Sequence, residues 1–82
     1  MSSIQAAMNE LMENESWTLL GLSRNIHLAE HGDDFDCLTG IVSEVYDEHI
    51  KFNEWGSNKA YKDGEEPHHS MFISLNHIVY WR

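Results

Sequence analysis

The chain has 82 residues, a length that predicts a single domain with a small core. It carries one cysteine, Cys37, which excludes an intramolecular disulfide and favours a reducing compartment. No apolar run approaches the roughly 20 residues that span a bilayer, and the first residues lack a basic and then apolar leader. We therefore expect a cytoplasmic protein without a membrane partner.

The chain is strongly acidic, with 14 Asp and Glu against five Lys and Arg and a formal net charge of −9. Binding to phosphate backbones without regard to sequence needs clustered positive charge, and this composition disfavours it. Six histidines can each take up a proton on acidification. Any binding of an anion should therefore strengthen as the pH falls.

Residues 1–14 are predicted to form an N-terminal helix, whose clearest part is Ser3–Glu13. Apolar side chains recur there at helical spacing, at Ile4, Met8, Leu11 and Met12. A helix this short needs a surface to lie on.

Residues 17–82 are predicted to be mostly β. The first strand pattern includes three leucines that leave a helical interpretation open for residues 17–22. Tight turns are predicted at His31–Asp34 and at Asp47–Glu48, and a polar, variable loop is predicted over residues 56–67. Alternating or β-branched residues indicate strands at Trp17–Leu22 with Ile26–Leu28, Phe35–Val45, Ile50–Trp55, His68–Leu75 and Ile78–Trp81.

One segment has a spacing that is typical of a known family. Gly40 is followed by apolar residues two, five, ten and twelve positions later, a pattern of a bent strand, a tight turn and a returning strand. This segment resembles the first signature of the Sm/LSm family, which includes bacterial Hfq, and the tail Ile73–Trp81 resembles the second. The resemblance covers nearly the whole chain. It implies one Sm-like domain over residues 1–82, in which the N-terminal helix precedes a five-stranded, strongly bent small barrel of SH3-like type.

The resemblance also implies an assembly and a ligand. Family members form closed rings, hexamers or heptamers, by joining the fourth strand of one subunit to the fifth of the next. It therefore assigns the final strand, Ile78, Val79, Tyr80 and Trp81, to a homo-oligomer interface. Single-stranded RNA, or DNA, would bind at a central pore lined by the two turns, near Tyr46, His49, Asn76 and His77. Tyr46 occupies the position of a common family Asp, and His49 that of the family's base-contacting Asn.

A further candidate for nucleic-acid contact is the segment in which Lys59 and Lys62 flank Tyr61, because bases stack on aromatic rings while lysines meet phosphates. Cys37 is expected to be a small core residue. We find no catalytic, metal-ligating or cofactor-binding motif, and we expect a non-enzymatic protein. Two alternatives remain: an acidic protein-interaction module or nucleic-acid mimic that meets a basic partner, and a metal-dependent enzyme.

Overall fold

The computed structural model describes residues 3–28 and 33–82. The chain is mostly β, with one longer helix at the start. Its elements are α1 (Ser3–Glu13), β1 (Thr18–Leu28), β2 (Asp33–Val45), β3 (His49–Glu54), α2 (Asn58–Lys62), β4 (His69–Ser74), a 3-10 helix (Leu75–His77) and β5 (Ile78–Trp81). Among the described residues, no helix has both the length and the apolar character needed to cross a bilayer.

The five strands form one antiparallel sheet in the order β4-β3-β2-β1-β5. The prediction of an N-terminal helix followed by five strands is confirmed. The bounds predicted for β5, and for the clearest part of the helix, are those of the structure. The sheet is not closed, because β4 and β5 are its two edges in the described part of the chain. The predicted turn at His31–Asp34 lies partly outside the described residues, and its second half is wrong because Asp33 and Asp34 already belong to β2.

The sheet bends where the pairing between strands is irregular. The register of β1 against β2 shifts between Gly21 and Ile26, so one long strand replaces the two short segments predicted there. The register of β2 against β3 shifts between Val42 and Glu44, which leaves Ser43 as an extra residue. Such a bulge increases the local twist and bends the strand that carries it.

Gly40 permits the close pairing of β2 and β3. A Cβ atom built at this position would lie 1.9 Å from the backbone oxygen of Asn53. Any larger residue would therefore push the two strands apart. The predicted curved hairpin is present, and its tight turn at Asp47–Glu48 is closed by a 2.8 Å hydrogen bond from the Tyr46 N–H to the His49 carbonyl.

The core lies between α1 and the concave side of the sheet. Met8 of α1 is fully buried together with Leu20, Ile50 and Phe52, and the rest of the predicted helical stripe (Ile4, Leu11 and Met12) packs against this cluster. The helix ends where Glu15 takes a left-handed conformation (φ 49°) and the Ser16 N–H donates to the Leu11 carbonyl. The short helix is thus stabilised by its apolar face and by a defined C-terminus.

The segment 56–67 is more ordered than a polar loop, because it contains α2. The Ser57 hydroxyl caps this helix by accepting a hydrogen bond from the Ala60 N–H at 3.1 Å. Tyr61 packs on Trp17 and Trp55, with ring centroids 5.9 and 4.9 Å away. A five-residue helix is too short to persist alone, so this aromatic cluster holds it in place.

Cys37 is exposed, and its predicted place in the core is wrong. Its neighbour Leu38 is buried. Successive side chains of a strand point to opposite faces, so the thiol lies on the outer face.

Candidate functional site

Three exposed or half-buried rings meet at the turn between β2 and β3. The Tyr46 and His49 rings are stacked, with centroids 4.7 Å apart and planes 26° apart. Phe72 of β4 meets His49 edge to face, with centroids 5.4 Å apart. We call Tyr46, His49 and Phe72 the aromatic patch. Phe72 is 59% exposed and Tyr46 39% exposed, so both rings offer surface to a ligand.

The strand register explains why these rings converge. Ile50 and Phe52 of β3 point into the core, so His49 and Lys51 lie on the outer face. Lys51 is the register partner of Phe72 on β4, which places Phe72 on that same face. The patch therefore sits on the outer side of the sheet, beside the open edge.

Polar contacts fix the orientation of the Tyr46 ring. The Tyr46 hydroxyl donates a hydrogen bond to a carboxylate oxygen of Glu44, and the Lys51 ammonium lies 3.6 Å from the other oxygen. The hydrogen bond from Tyr46, and the charge of Lys51, hold the pKa of Glu44 below its ordinary value, while burial opposes them. The same hydrogen bond raises the pKa of Tyr46.

The 3-10 helix that connects β4 to β5 lies against the turn that connects β2 to β3. The Leu75 N–H donates to the Glu48 carbonyl at 2.9 Å, which ties the 3-10 helix to the β2–β3 turn. An open groove of about 550 Å³ is lined by residues 45–49, and a neighbouring one of about 350 Å³ is lined by Asp47, Glu48, Ser74, Leu75 and Asn76. The structure therefore places Asn76 beside Asp47 and Glu48, the two residues of the turn that connects Tyr46 to His49.

His77 is exposed at the end of the 3-10 helix, where its Nδ1 lies 3.3 Å from the Ser23 hydroxyl. Neither of the two grooves includes His77 in its lining. It belongs to the same turn as Asn76 but faces β1 through this contact.

Lys59 and Lys62 are not brought to the aromatic patch. They lie on α2, which follows the end of β3 opposite His49, and five strand steps separate the ends of β3 by roughly 16 Å. Lys59 pairs with Asp63 at 3.2 Å, and the Tyr61 ring between the two lysines is half-buried against Trp17 and Trp55. Their contact with phosphates stays a prediction, but it would form a second and separate site.

The predicted oligomer strand divides into two kinds of residue. Ile78 is buried in the core of its own chain and Trp81 is packed against that core. Val79 and Tyr80 are 60% and 44% exposed. Only these last two, with the open backbone edge, are placed to meet another chain with their side chains.

Charge around the patch is mainly negative. Residues 44–51 carry the carboxylates of Glu44, Asp47 and Glu48 against the single ammonium of Lys51, which pairs with Glu44. Asp47 and Glu48 are exposed in the turn itself. Within the residues that the structure describes, no three His, Cys, Asp or Glu side chains cluster closely enough to hold a metal ion.

Phe72 is a member of the site that the sequence pattern did not predict. Met71 and Ile73 are buried, so the alternation of a strand directs Phe72 outward. A large apolar ring on the exposed face of an edge strand is the signal that would have identified it.

Comparisons with protein-family models, with curated proteins and with solved structures find no match to this chain.

Proposed function

We propose that the protein is a non-enzymatic, Sm-like module that assembles into a ring and binds single-stranded RNA, or DNA, on its aromatic patch. The observation that carries this proposal is the exposed Tyr46–His49–Phe72 cluster beside Asn76. Unstacked bases bind on aromatic faces, and an amide can hydrogen-bond to the edge of a base. The aromatic patch offers the stacking faces, and Asn76 lies on the other side of the turn residues Asp47 and Glu48.

The strand order supports the Sm-like part of the proposal. The N-terminal helix, the five strands and the bent β2–β3 hairpin are features that the resemblance implies. The sheet has two edges, β4 and β5, on which a ring could close, and Val79 and Tyr80 on β5 are exposed apolar residues. Pairing these edges between copies would cover them.

The test of assembly is the native mass in solution. A ring would have six or seven times the 9.5 kDa of one chain. Val79→Glu, which places a charge on the exposed side of β5, should reduce the mass, whereas the same charge at the exposed position Ala6 of α1 should not. A monomer at all protein concentrations would end the ring proposal.

The test of binding is fluorescence anisotropy of short A-rich and U-rich oligonucleotides at low salt. Removal of a stacking ring by Tyr46→Ala or Phe72→Ala should weaken binding roughly 5- to 100-fold, as loss of a base–aromatic stack does elsewhere. The matched control is Lys59→Ala with Lys62→Ala, which removes two cations far from the patch and should have a smaller effect. Absence of affinity in the folded protein at every pH between about 5.5 and 8 would refute nucleic-acid binding.

A second candidate function is supported by the carboxylates of the turn. Asp47 and Glu48 line both grooves, so they separate the Tyr46–His49 pair from Asn76. Aromatic faces also bind cations. The same patch would then receive a Lys or Arg side chain of a basic partner protein. A lysine- and arginine-rich peptide that binds more tightly as the pH rises, with no oligonucleotide binding, would favour this candidate.

A further inference from the structure

The aromatic patch contains a group that can take up a positive charge, the imidazole of His49. The His49 ring stacks on Tyr46 and meets Phe72 edge to face, at centroid distances of 4.7 and 5.4 Å, and the Tyr46 and Phe72 rings lie 6.4 Å apart. A protonated imidazole is stabilised on the face of an aromatic ring.

The charged neighbours of His49 come from each element around it. β2 contributes Glu44 and the Tyr46 phenol, the turn contributes Asp47 and Glu48, and β3 contributes Lys51. On β4, the register partner of His49 is Ser74, and the titratable His69 lies at the other end of the strand, 3.1 Å from Glu54. On the 3-10 helix, His77 contacts Ser23.

The Lys51 ammonium forms an ion pair with the Glu44 carboxylate, which partly neutralises its attraction for a phosphate. Protonation of His49 adds a positive charge directly at the stacking site, where Asp47 and Glu48 otherwise repel an anion. Histidine is the side chain whose charge ordinarily changes between about pH 5 and 8. The acidity of the chain and the binding of a polyanion are compatible if this proton is present in the complex.

We infer that His49 is a proton-dependent gate for the site: single-stranded nucleic acid binds more tightly when His49, packed against Tyr46 and Phe72, is protonated, and more weakly when His49 is neutral. The inference rests on the proposed function. In the complex, the charged imidazole of His49 would donate a hydrogen bond from an N–H to a phosphate oxygen. The neighbouring base would stack on Tyr46 or Phe72. Binding takes up a proton at this position, so affinity rises as the pH falls.

The experiment measures the Kd for a labelled A-rich or U-rich oligonucleotide at about pH 5.5 and about pH 8, in buffers of equal ionic strength. The wild-type protein should bind roughly tenfold more tightly at the lower pH, the scale of one charge-assisted hydrogen bond. His49→Gln should lose most of this difference. His49→Arg, which keeps a permanent charge, should bind at the higher pH about as tightly as the wild type does at the lower pH.

His68 provides the matched control. It is exposed, and its ring lies over Gly56 beyond the far end of β3. His68→Gln and His68→Arg make the same changes of charge away from the patch, and both should keep the pH dependence of the wild type. Thermal melting of each variant confirms that the fold is retained.

Two results separate failure of the gate from failure of the proposed function. Oligonucleotide binding with the same pH dependence in the wild type and in His49→Gln would overturn the gate and leave nucleic-acid binding intact. No binding by the wild type or by His49→Arg at either pH would overturn the proposed function, and the gate with it.

Discussion

Replacing Gly40 by alanine should destabilise the protein more than any other single methyl addition at a described glycine. The added Cβ would lie 1.9 Å from the Asn53 oxygen, and an ordinary contact begins near 3.4 Å. The β2 and β3 backbones would have to separate by roughly 1.5 Å, which lengthens a hydrogen bond beyond its working range. The obstacle is backbone, so no side-chain rotation relieves it.

The size of the effect follows from the bonds that this separation breaks. Loss of about two backbone hydrogen bonds at about 1 kcal/mol each, with about 1 kcal/mol of overpacking, gives about 3 kcal/mol. A chain of this length is expected to have a free energy of unfolding of only about 4–12 kcal/mol. Gly40→Ala should therefore remove a large fraction of the total stability.

Urea unfolding followed by tryptophan fluorescence measures this loss, with Gly21→Ala as the control. A Cβ at Gly21 would also clash, at 2.1 Å, but with the ring of Tyr80, which is partly exposed and can turn outward. The expected cost there is about 1 kcal/mol, the centre of the distribution for single substitutions. If Gly40→Ala costs no more than Gly21→Ala, the close β2–β3 pairing described above is incorrect.

Three further predictions concern single side chains. Tyr46→Phe removes the hydrogen bond that is the largest cause of the lowered pKa of Glu44, so carboxyl NMR should show that pKa rising toward its ordinary value. A carboxyl group with a lowered pKa in the folded state stabilises the fold at pH values above the ordinary pKa of Glu. This stabilisation is lost as the pH falls through the lowered pKa, so the stability of the variant should depend less on pH in that range. Cys37 should react with a thiol reagent in the folded protein nearly as fast as in urea, and strong protection would contradict its exposed position. Tyr61→Ala should loosen the 56–67 segment, seen as faster proteolysis there.

The sequence predicts well those parts of the fold in which apolar residues recur at regular spacing or a glycine marks a close approach of two backbones. The stripe from Ile4 to Met12 reports α1 because its apolar positions recur at helical spacing. Gly40 and the apolar positions after it report the β2–β3 hairpin because only one register buries Ile50 and Phe52 together.

The parts that the sequence does not report depend on contacts between distant residues. The helix α2 is five residues long, and its position is set by Trp17 and Trp55, which no local pattern connects to Tyr61. The candidate site is similar: Tyr46 and His49 lie in one predicted turn, but Phe72 joins them only through the pairing of β3 with β4. The exposure of Cys37 could have been predicted from the sequence, because Cys37 and its neighbour Leu38 must point to opposite faces of the strand.

Nuclear magnetic resonance of the labelled protein, titrated with a short single-stranded oligonucleotide at about pH 5.5, tests the central claim most directly. Side-chain resonances of Tyr46, His49, Phe72 and Asn76 should shift in proportion to occupancy, while those of Trp55 and Tyr61 at the other end of β3 should stay in place. Shifts confined to the α2 region, or no shifts at the patch while the oligonucleotide is bound, would contradict the assignment of the ligand site.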